Sequence, residues 1–183
     1  MKGETDLSKY NNEWYKPGAP LLMRAIWYIF NCAFFISYSP FNFIKIFSLR
    51  LFGAKVGKGL VIKPHVNIKY PWRLSIGNHC WIGEGVWIDN LEDVSIGDNC
   101  CLSQGALLLC GNHNYKKSSF DLMAEKITLE DGVWIGAKSI VCGGVTCKSH
   151  SVLTAGSVAG DTLEPYSVYR GNPAVKIKDR EIT

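Results

Sequence analysis

A six-residue period runs through the C-terminal half of the chain and limits what the chain can fold into. Apolar residues recur at every sixth position, namely Leu129, Ile135, Val141, Cys147, Leu153 and Ala159. This period belongs neither to an α-helix, which repeats every 3.6 residues, nor to a simple strand, which repeats every two. It is typical of triangular coils in which each side is one hexapeptide with one inward-pointing aliphatic side chain. We therefore expect a mainly β, parallel solenoid.

The same period extends towards the N-terminus with two small interruptions. Steps of six connect Val56, Ile62 and Ile68, then Ile76, Ile82 and Ile88, and then Ile96, Leu102 and Leu108. Steps of eight join these three groups, which indicates two-residue insertions at corners of the coils. Glycine follows the inward residue at positions 57, 77, 83, 97 and 136. We expect the freedom of these glycines at positive φ to allow tight corners.

One segment breaks the period more strongly. The step from Leu108 to Leu129 is 21 residues, so residues 109–128 are predicted to form a protruding loop. Long loops in compact repeat proteins usually carry function. His113 lies at the base of this loop, and an imidazole, with an ordinary pKa of about 6.5, is well suited to deprotonate a hydroxyl near neutral pH. His113 is therefore a candidate general base, whereas the other three histidines fall at or near coil corners.

Residues 21–52 differ in composition from the rest of the chain. They are dense in Phe, Ile, Trp and Tyr, and Pro40 divides them into two predicted helical parts. The uncharged stretch 25–39 is shorter than the ~20 residues that a membrane-spanning helix needs. Either these helices cap the first coil, against the solenoid or a neighbouring subunit, or the aromatic helix, followed by Lys45 and Arg50, lies on the inner face of a membrane near a lipid-linked acceptor.

These patterns divide the chain into three parts. Residues 1–52 are predicted to form an N-terminal tail and the helical segment, residues 53–161 the solenoid domain, and residues 162–183 a short C-terminal tail. Residues 1–20 are polar and do not resemble a signal peptide. We therefore expect a cytoplasmic protein, either free or at the inner face of the membrane.

Charge and cysteine content argue against two classes of function. The net charge is +4 with dispersed Lys and Arg residues, so nucleic acid is not an expected partner. The seven cysteines show no metal-binding spacing, and an odd number leaves a disulfide framework incomplete. We expect them to be reduced core residues.

Several segments together resemble a known family. The hexapeptides, the coil VWIGAKSIV, the loop with His113 and the ending Gly-Asn-Pro-Ala-Val resemble the hexapeptide-repeat acyltransferases of left-handed parallel β-helix fold. The segments LRLFGAKVGKGLVIKPHVNIKYPWRLSIG, WIGEGVWIDNLEDVSIG and YRGNPAVKIK closely resemble the colanic acid biosynthesis acetyltransferases. This resemblance extends from residue 49 to residue 178.

The resemblance implies an activity and an assembly. The chain would be an O-acetyltransferase that moves acetyl from acetyl-CoA directly to a sugar hydroxyl in exopolysaccharide, capsule or glycolipid biosynthesis, with His113 as the base. The acceptor would be a carbohydrate or a lipid-linked sugar. The protein would be a homotrimer that holds acetyl-CoA between adjacent solenoids. A metal is not expected, because a thioester is already an activated acyl donor.

Further residues are assigned to the two substrates. The candidates for acceptor binding are Asp89 and Asn90, one coil before the base, and Asn112 and Asn114, which flank it. The family resemblance assigns the cofactor groove to Trp134, Ala137, Ala155 and Gly160. Lys176 and Lys178 would bind the phosphates of CoA as charged donors.

The sequence also departs from related galactoside and maltose acetyltransferases. Their acceptor-binding Asn is replaced by Gly83, and a Thr-Lys pair is replaced by Gly160 and Asp161. The acceptor pose of those relatives therefore does not carry over to this chain, although the base does. One phosphate contact is either missing or supplied by Lys138 or Lys148.

Two alternatives remain at the level of the sequence. The first is a zinc enzyme resembling the trimeric β-helix carbonic anhydrases, with His79 and His113 as two of three ligands. The loop lacks the second nearby histidine of such a site. The second alternative is a non-catalytic scaffold subunit, which would have no use for a base at position 113.

Overall fold

The computed structural model describes residues 3–183. The described residues begin with an irregular tail that contains a short 3-10 helix, Leu7–Lys9. Helix α1 (Leu21–Phe30) continues directly into a π-helix, Asn31–Ile36. Helix α2 (Asn42–Leu51) leads into the first strand of the solenoid.

Short strands then wind into successive three-strand coils. The first coil has β1 (Lys55–Val56), β2 (Val61–Ile62) and β3 (Asn67–Ile68), and the second has β4 (Leu74–Ile76), β5 (Trp81–Ile82) and β6 (Trp87–Asp89). The third has β7 (Val94–Ile96), β8 (Cys101–Leu102) and β9 (Leu107–Leu109), and a hairpin of β10 (Gly111–His113) and β11 (Leu122–Ala124) follows it. The fourth has β12 (Ile127–Leu129), β13 (Trp134–Ile135) and β14 (Ile140–Cys142), and the fifth has β15 (Thr146–Cys147), β16 (Val152–Leu153) and β17 (Val158–Ala159). The chain ends with β18 (Ser167–Gly171) and β19 (Ala174–Asp179).

The strands stack into three parallel sheets, one on each side of the triangular coil. Sheet A has the order β1-β4-β7-β12-β15, and sheet C has the order β3-β6-β9-β14-β17. Sheet B contains β2, β5, β8, β13, β16 and β18, and the antiparallel strand β19 covers its last edge. The predicted parallel β-solenoid with an N-terminal helical segment is confirmed.

The six-residue ladder forms the centre of the core. In sheet B, for example, Ile62, Ile82 and Leu102 lie directly across from one another in register and are almost completely buried. A second buried position lies two residues before each of these, as Leu60 and Cys80 show. The six-residue pattern alone does not reveal this second layer, because small and sulfur-containing residues occupy many of its positions.

The five corner glycines have a different role from the predicted one. Glycines at positions 57, 77, 83, 97 and 136 do not adopt positive φ, so the prediction of left-handed corners was wrong for them. Their backbones instead touch the next coil. A Cβ on Gly83 would lie 2.8 Å from the carbonyl oxygen of Leu102, and one on Gly136 would lie 2.5 Å from the nitrogen of Ala155. Glycine is needed at these positions because the stacked coils leave no room for a side chain.

Positive φ occurs at the other coil corners, and three histidines occupy such positions. The backbone φ is 58° at His65, 56° at His79 and 59° at His150. Corner geometry therefore accounts for the local conformation at all three of these histidines, since short polar residues tolerate the left-handed region better than branched ones do.

The helical segment packs on the open end of the first coil. The side chain of Asn42 accepts a hydrogen bond from the Ile62 N–H (2.8 Å) and donates one to the Leu60 carbonyl (2.8 Å). The Trp27 indole N–H donates to the Ile68 carbonyl over 2.9 Å. These side chains bond the backbone groups that β2 and β3 would otherwise leave unpaired at a sheet edge.

Lys45 is a further contact of this cap. The side chain is fully buried, and its Nζ donates to the carbonyls of Ile62 (3.3 Å) and Lys63 (2.9 Å). Burial lowers the pKa of the Lys45 ammonium. Lys45 therefore faces the first coil and is not available to a membrane surface.

No helix among residues 3–183 combines the length and apolar character needed to cross a bilayer.

All seven cysteines are free thiols, but they are not all core residues. Four are buried, Cys101 and Cys142 are partly exposed, and Cys32 is exposed on the helical segment. Burial raises the pKa of Cys110 to about 11 and that of Cys147 to about 12. The prediction of core cysteines is therefore wrong for Cys32 and for Cys101, which lies on the outward side of sheet B.

We predict that Gly83→Ala lowers the free energy of unfolding by about 1–3 kcal/mol, because the new methyl group would press on the backbone of the next coil. Gly160→Ala is the matched control, since a Cβ there meets no atom within 4 Å and the φ of Gly160 is not positive. We expect the control to change stability by less than about 0.5 kcal/mol. Equal losses in urea denaturation of the two variants would contradict this account.

Candidate functional site

The interruptions of the six-residue period all stack at one corner of the solenoid. The chain leaves sheet C after Ile68, Ile88 and Leu108, and the next inward residues follow after 8, 8 and 21 positions. Parallel strands place equivalent ends at the same sheet edge, so the three insertions lie side by side. In this ladder Asp89 is directly across from Leu109. Between Val56 and Ala159 the six-residue period is therefore interrupted only at this corner.

The largest insertion contains a small antiparallel hairpin that carries His113. Strands β10 and β11 pair with His113 across from Leu122 and Asn112 across from Met123. The tip continues from Asn114, whose N–H donates to the Asp121 carbonyl over 2.8 Å. The pairing gives the predicted loop 109–128 a regular base, and His113 ends the first strand.

The imidazole of His113 is oriented by Phe120. Its Nδ1 lies 3.0 Å from the Phe120 carbonyl oxygen, and the two rings stack with centroids 4.5 Å apart and 9° between their planes. A carbonyl oxygen can only accept, so Nδ1 carries the proton in this bond. Nε2 of the neutral ring therefore has a free lone pair.

A groove of about 680 Å³ lies against His113. Its lining residues come from the three insertions, the N-terminal tail and helix α1, and they are Tyr10, Asn12, Tyr15, Pro17, Arg24, Lys69, Tyr70, Asp89, Leu91, Leu109, Gly111, Asn112, His113 and Leu122. The structure thus brings His113, Asp89 and Asn112 together, as the sequence-based hypothesis requires.

Asp89 is a nearly buried carboxylate in the wall of this groove. It is 7% exposed, and its Oδ1 lies 2.8 Å from the Lys69 Nζ. A buried carboxylate needs such a partner, since an unpaired charge out of water is costly. The ion pair keeps one negative and one positive group beside each other in the lining of the groove.

The other predicted acceptor residues have different surroundings. Asn90 is fully buried, and its side chain bonds both the N–H of Tyr70 (2.9 Å) and the carbonyl of Tyr70 (2.6 Å). The structure therefore places Asn90 in the corner itself, holding two insertions together. The Oδ1 of Asn114 accepts from the Lys116 N–H in the loop turn, and Asn114 does not line the groove.

The N-terminal tail forms one wall of the site, which the sequence did not indicate. The ring of Tyr10 lies 6.0 Å from the His113 ring, centroid to centroid, and the Asp6 N–H donates to Ser118 in the loop. The Tyr15 hydroxyl donates to the Leu91 carbonyl over 2.7 Å, and burial raises the pKa of this phenol well above its usual range. Lys69 was missed as well, although the eight-residue step after Ile68 marked its position.

A second groove continues from the first beneath helix α1. Both grooves are lined by Arg24, Lys69, Tyr70 and Asp89. The second groove has a volume of about 430 Å³, and its further lining includes apolar side chains such as Leu21 and Trp87. The polar site at His113 therefore extends into a more apolar channel.

A third groove, of about 960 Å³, lies on the outer face of sheet B and contains half of the predicted cofactor residues. It is lined by Trp134, Ala155 and Lys178, together with Arg170, which the sequence-based analysis missed. Ala137, Gly160 and Lys176 are not among its lining residues.

The side chains around this third groove differ in how they are held. The Trp134 indole N–H donates to the Ser103 hydroxyl over 2.9 Å. Lys176 is ion-paired with Asp179 over 2.6 Å.

Among the described residues, the third groove and the His113 groove share no lining residue. A single chain therefore carries the candidate base and the candidate cofactor groove on separate surfaces.

Potential metal ligands do not cluster among the described residues. Across residues 3–183, no three His, Cys, Asp or Glu side chains of one chain lie close enough together to hold a metal ion.

We predict that neutral His113 is protonated on Nδ1, since the Phe120 carbonyl can only accept. The His113 signals are assigned as those that disappear in the His113→Gln variant. In long-range ¹H–¹⁵N spectra of a ¹⁵N-labelled sample at alkaline pH, these signals should be those of a ring protonated on Nδ1. A proton on Nε2 would contradict the orientation described above.

Comparison with curated proteins identifies relatives of the chain. WcaF of Escherichia coli K12, whose name assigns it as a colanic acid biosynthesis acetyltransferase, is 38% identical over 136 residues, which cover 74% of this chain and 75% of that protein. The galactoside O-acetyltransferase of Escherichia coli K12 is 28% identical over 129 residues, which cover 69% of this chain and 64% of that protein. None of the protein-family models compared with the chain matches it.

Solved structures share the fold. The hexapeptide-repeat acetyltransferase VCA0836 of Vibrio cholerae superposes with a TM-score of 0.79 at 21% identity, over 88% of this chain and 92% of that one. A maltose O-acetyltransferase of Clostridium difficile superposes with a TM-score of 0.75 at 20% identity, over 89% of this chain and 90% of that one. Taken with the identity to WcaF, these matches show that the chain belongs to the hexapeptide-repeat acetyltransferase family.

Proposed function

We propose that this acetyltransferase is an O-acetyltransferase that moves acetyl from acetyl-CoA to a sugar hydroxyl, with His113 as the general base. The observation that carries the proposal is the orientation of His113. Its Nδ1 is held by the Phe120 carbonyl, which leaves Nε2 free at a groove that also contains the Asp89–Lys69 ion pair. The names of WcaF and of the galactoside O-acetyltransferase support a carbohydrate acceptor.

The reaction requires one acyl transfer and two proton transfers, the first to His113 and the second from it. Nε2 of His113 takes the proton of the acceptor hydroxyl while its oxygen forms a bond to the thioester carbonyl carbon. The resulting tetrahedral oxyanion needs N–H donors until the carbon–sulfur bond breaks. CoA then leaves with the proton from the imidazolium, so that His113 returns to its neutral form. No acetyl group is attached to the protein at any step.

Acetyl-CoA is the proposed donor, and the third groove is its proposed site. A solved structure of the Vibrio cholerae protein is a complex with acetyl-CoA, and it superposes on this chain with a TM-score of 0.78. The indole of Trp134 and the small Ala155 would contact the pantetheine arm. Arg170 and Lys178 would bind phosphate oxygens, and Arg provides a planar pair of donors for such groups. Lys176 is a weaker candidate, because it is already paired with Asp179.

The outer faces of the three sheets support a homotrimer. In register, the outward residues of sheet A are Lys55, Ser75, Ser95, Thr128 and Thr146. Those of sheet B are Val61, Trp81, Cys101, Trp134, Val152 and Val168. Those of sheet C are Asn67, Trp87, Leu107, Ile140 and Val158. The outer faces of sheets B and C are thus mostly apolar, whereas the outer face of sheet A is polar.

Two different apolar faces on one chain favour a closed ring. If sheet B of one copy packs on sheet C of the next, the contact is heterologous, and a threefold rotation closes it. His113 lies beyond the end of sheet C, and the third groove lies on sheet B. This packing would therefore bring the base of one copy to the acetyl-CoA of its neighbour. Two copies are needed because the two surfaces lie apart within one chain.

The acceptor is proposed to be a lipid-linked sugar in preference to a free one. The sugar would lie beside Asp89 and His113. The channel under α1 would take the adjoining apolar part of the acceptor. Arg24, which lines both grooves and has no ion-pair partner among the described residues, suits an anionic linkage between the two parts. Asn112 would contact the sugar as a further polar group of the lining.

We predict that His113→Ala lowers the rate of acetyl transfer by roughly 10²- to 10⁴-fold, measured as CoA release with a panel of sugar and lipid-linked sugar acceptors. Acetyl-CoA affinity and melting temperature should remain close to those of the unmodified protein. His150→Asn is the matched control, because it changes a histidine at a coil corner that lines none of the three grooves. A His113→Ala protein with unchanged turnover would exclude His113 as the base. Zinc in stoichiometric amount in the active protein would favour the metal-dependent alternative.

We also predict that Leu107→Glu disrupts the trimer, because the substitution places a charge on the outward face of sheet C. Ser95→Glu is the control from the same coil, since it changes the outward face of sheet A. Light scattering after size exclusion should give a lower mass for Leu107→Glu and an unchanged mass for Ser95→Glu. A trimer that persists in Leu107→Glu, or is lost in both variants, would contradict the assignment of the faces.

A further inference from the structure

The helical segment that caps the first coil has a large apolar outer face. On α1, Leu22, Ile26 and Ile29 follow the spacing of one helix face and are exposed. On α2, Phe43, Phe47 and Leu51 do the same, and Phe43 and Phe47 are 70% and 66% exposed. We call these six residues the cap face. Apolar surface of this kind on a folded protein marks an interaction site.

The cap face points away from the solenoid. The opposite sides of the same helices carry Trp27, Lys45 and Asn42, which bond the edges of the first coil. The cap therefore has one surface whose partner is the solenoid and one surface whose partner lies outside the chain.

Charge in the sequence is strongly segregated around this cap. Residues 14–83 contain nine Lys or Arg residues and no Asp or Glu, whereas the rest of the chain contains eleven Lys or Arg and sixteen Asp or Glu. Of the nine, Lys45 is buried, and Lys69 and Arg73 are ion-paired with Asp89 and Glu92. The other six take part in no ion pair among the described residues, and they are Lys16, Arg24, Arg50, Lys55, Lys58 and Lys63.

Four of these six residues belong to α2 or to the first coil that the helices cover, and one of them, Lys63, also places its Nζ over the Trp81 ring. Arg50 is exposed on α2, and its Nη2 donates to the carbonyls of Val56 and Gly57, so its charge is held at the edge of the first coil without being neutralised. Lys55, Lys58 and Lys63 are exposed on the first coil itself. The cap is therefore an apolar, aromatic surface bordered by cations.

We propose that the cap face binds the surface of an anionic lipid bilayer, with the two helices lying in the plane of the interface. Aromatic and branched side chains bordered by Lys and Arg are the composition of helices that lie on such surfaces. The lengths of the two helices and the finding that neither can cross a membrane agree with a surface position. A second copy of the chain fits less well, because a self-contact through this face would bring like charges together.

The cap face and the channel under α1 share one helix. The channel under α1 is lined by Leu21, Arg24 and Tyr28 of the same helix. A bilayer against the cap face would lie beside the mouth of this channel. The bilayer inference itself rests on the exposed side chains and the charge distribution, so it does not depend on the proposed acetyl transfer.

The proposal is tested by sedimentation of the full-length protein with vesicles of phosphatidylcholine, with and without about 30% phosphatidylglycerol. We expect binding to the anionic vesicles and at least tenfold weaker binding to the neutral ones. Raising the salt concentration should weaken the binding, because mobile ions screen charges at a surface.

Two pairs of variants separate the apolar and the electrostatic parts. Phe43→Ser with Phe47→Ser should abolish vesicle binding, whereas Val175→Ser with Ile182→Ser removes exposed apolar residues of the C-terminal tail and should leave it unchanged. Lys55→Glu with Lys58→Glu should weaken binding about 30-fold or more, since each basic residue near an anionic surface contributes about fivefold. Lys116→Glu with Lys126→Glu is the charge-matched control and should have little effect.

The outcomes distinguish the bilayer from other partners. Absence of binding to anionic vesicles, or equal losses in the cap variants and their controls, would overturn the proposal. A change in oligomeric mass caused by Phe43→Ser with Phe47→Ser, without vesicle binding in the unmodified protein, would assign the cap face to a contact between copies. If the phenylalanine variant does not fold, as judged by circular dichroism, the lysine variants decide the question. Vesicle binding is measured without acetyl-CoA, so its failure leaves the enzymatic proposal intact.

Discussion

The stacking of one coil on the next is the constraint on which the rest of the structure depends. Parallel strands of adjacent coils must remain at hydrogen-bonding distance, about 4.8 Å, along all three sides of the prism. A Cβ cannot be accommodated at corners such as Gly83 and Gly136, where the backbones already touch. Extra residues must therefore leave the stack and project outward. They do so at one corner, and this single corner becomes the site that contains His113.

The same stacking leaves open strand edges at both ends of the solenoid. At the C-terminal end the chain folds back as β19 and pairs with β18. At the N-terminal end no strand precedes β1 among residues 3–183, so side chains from the helical segment bond the open edge. Asn42, Trp27 and Lys45 bond successive backbone groups of the first coil. The outer side of this cap is then free to bind a different partner, and its apolar and cationic character suits a lipid surface.

The polar groups of the site are held by the fold before any substrate binds. Phe120 orients the His113 ring, Lys69 pairs with the nearly buried Asp89, and Asn90 joins two insertions through Tyr70. Such fixed groups favour catalysis because little reorganisation is needed when charge develops. The groove proposed for the donor lies on another face of the same chain, and the proposed heterologous ring of three copies would bring the two grooves together.

The sequence by itself determined the parallel solenoid, the inward ladder and the position of the loop with His113, because a six-residue period admits few structures and its interruptions are visible as steps of 8 and 21. It could not show that the corner glycines avoid a steric clash and do not adopt positive φ. Nor could it show that the Asn90 side chain bonds the backbone of Tyr70, or that Tyr10 and Lys69 line the His113 groove. Those features depend on contacts between residues from 19 to more than 100 positions apart along the chain, which have no local pattern. Only the tertiary structure decided them, since coil stacking brings distant residues together through space.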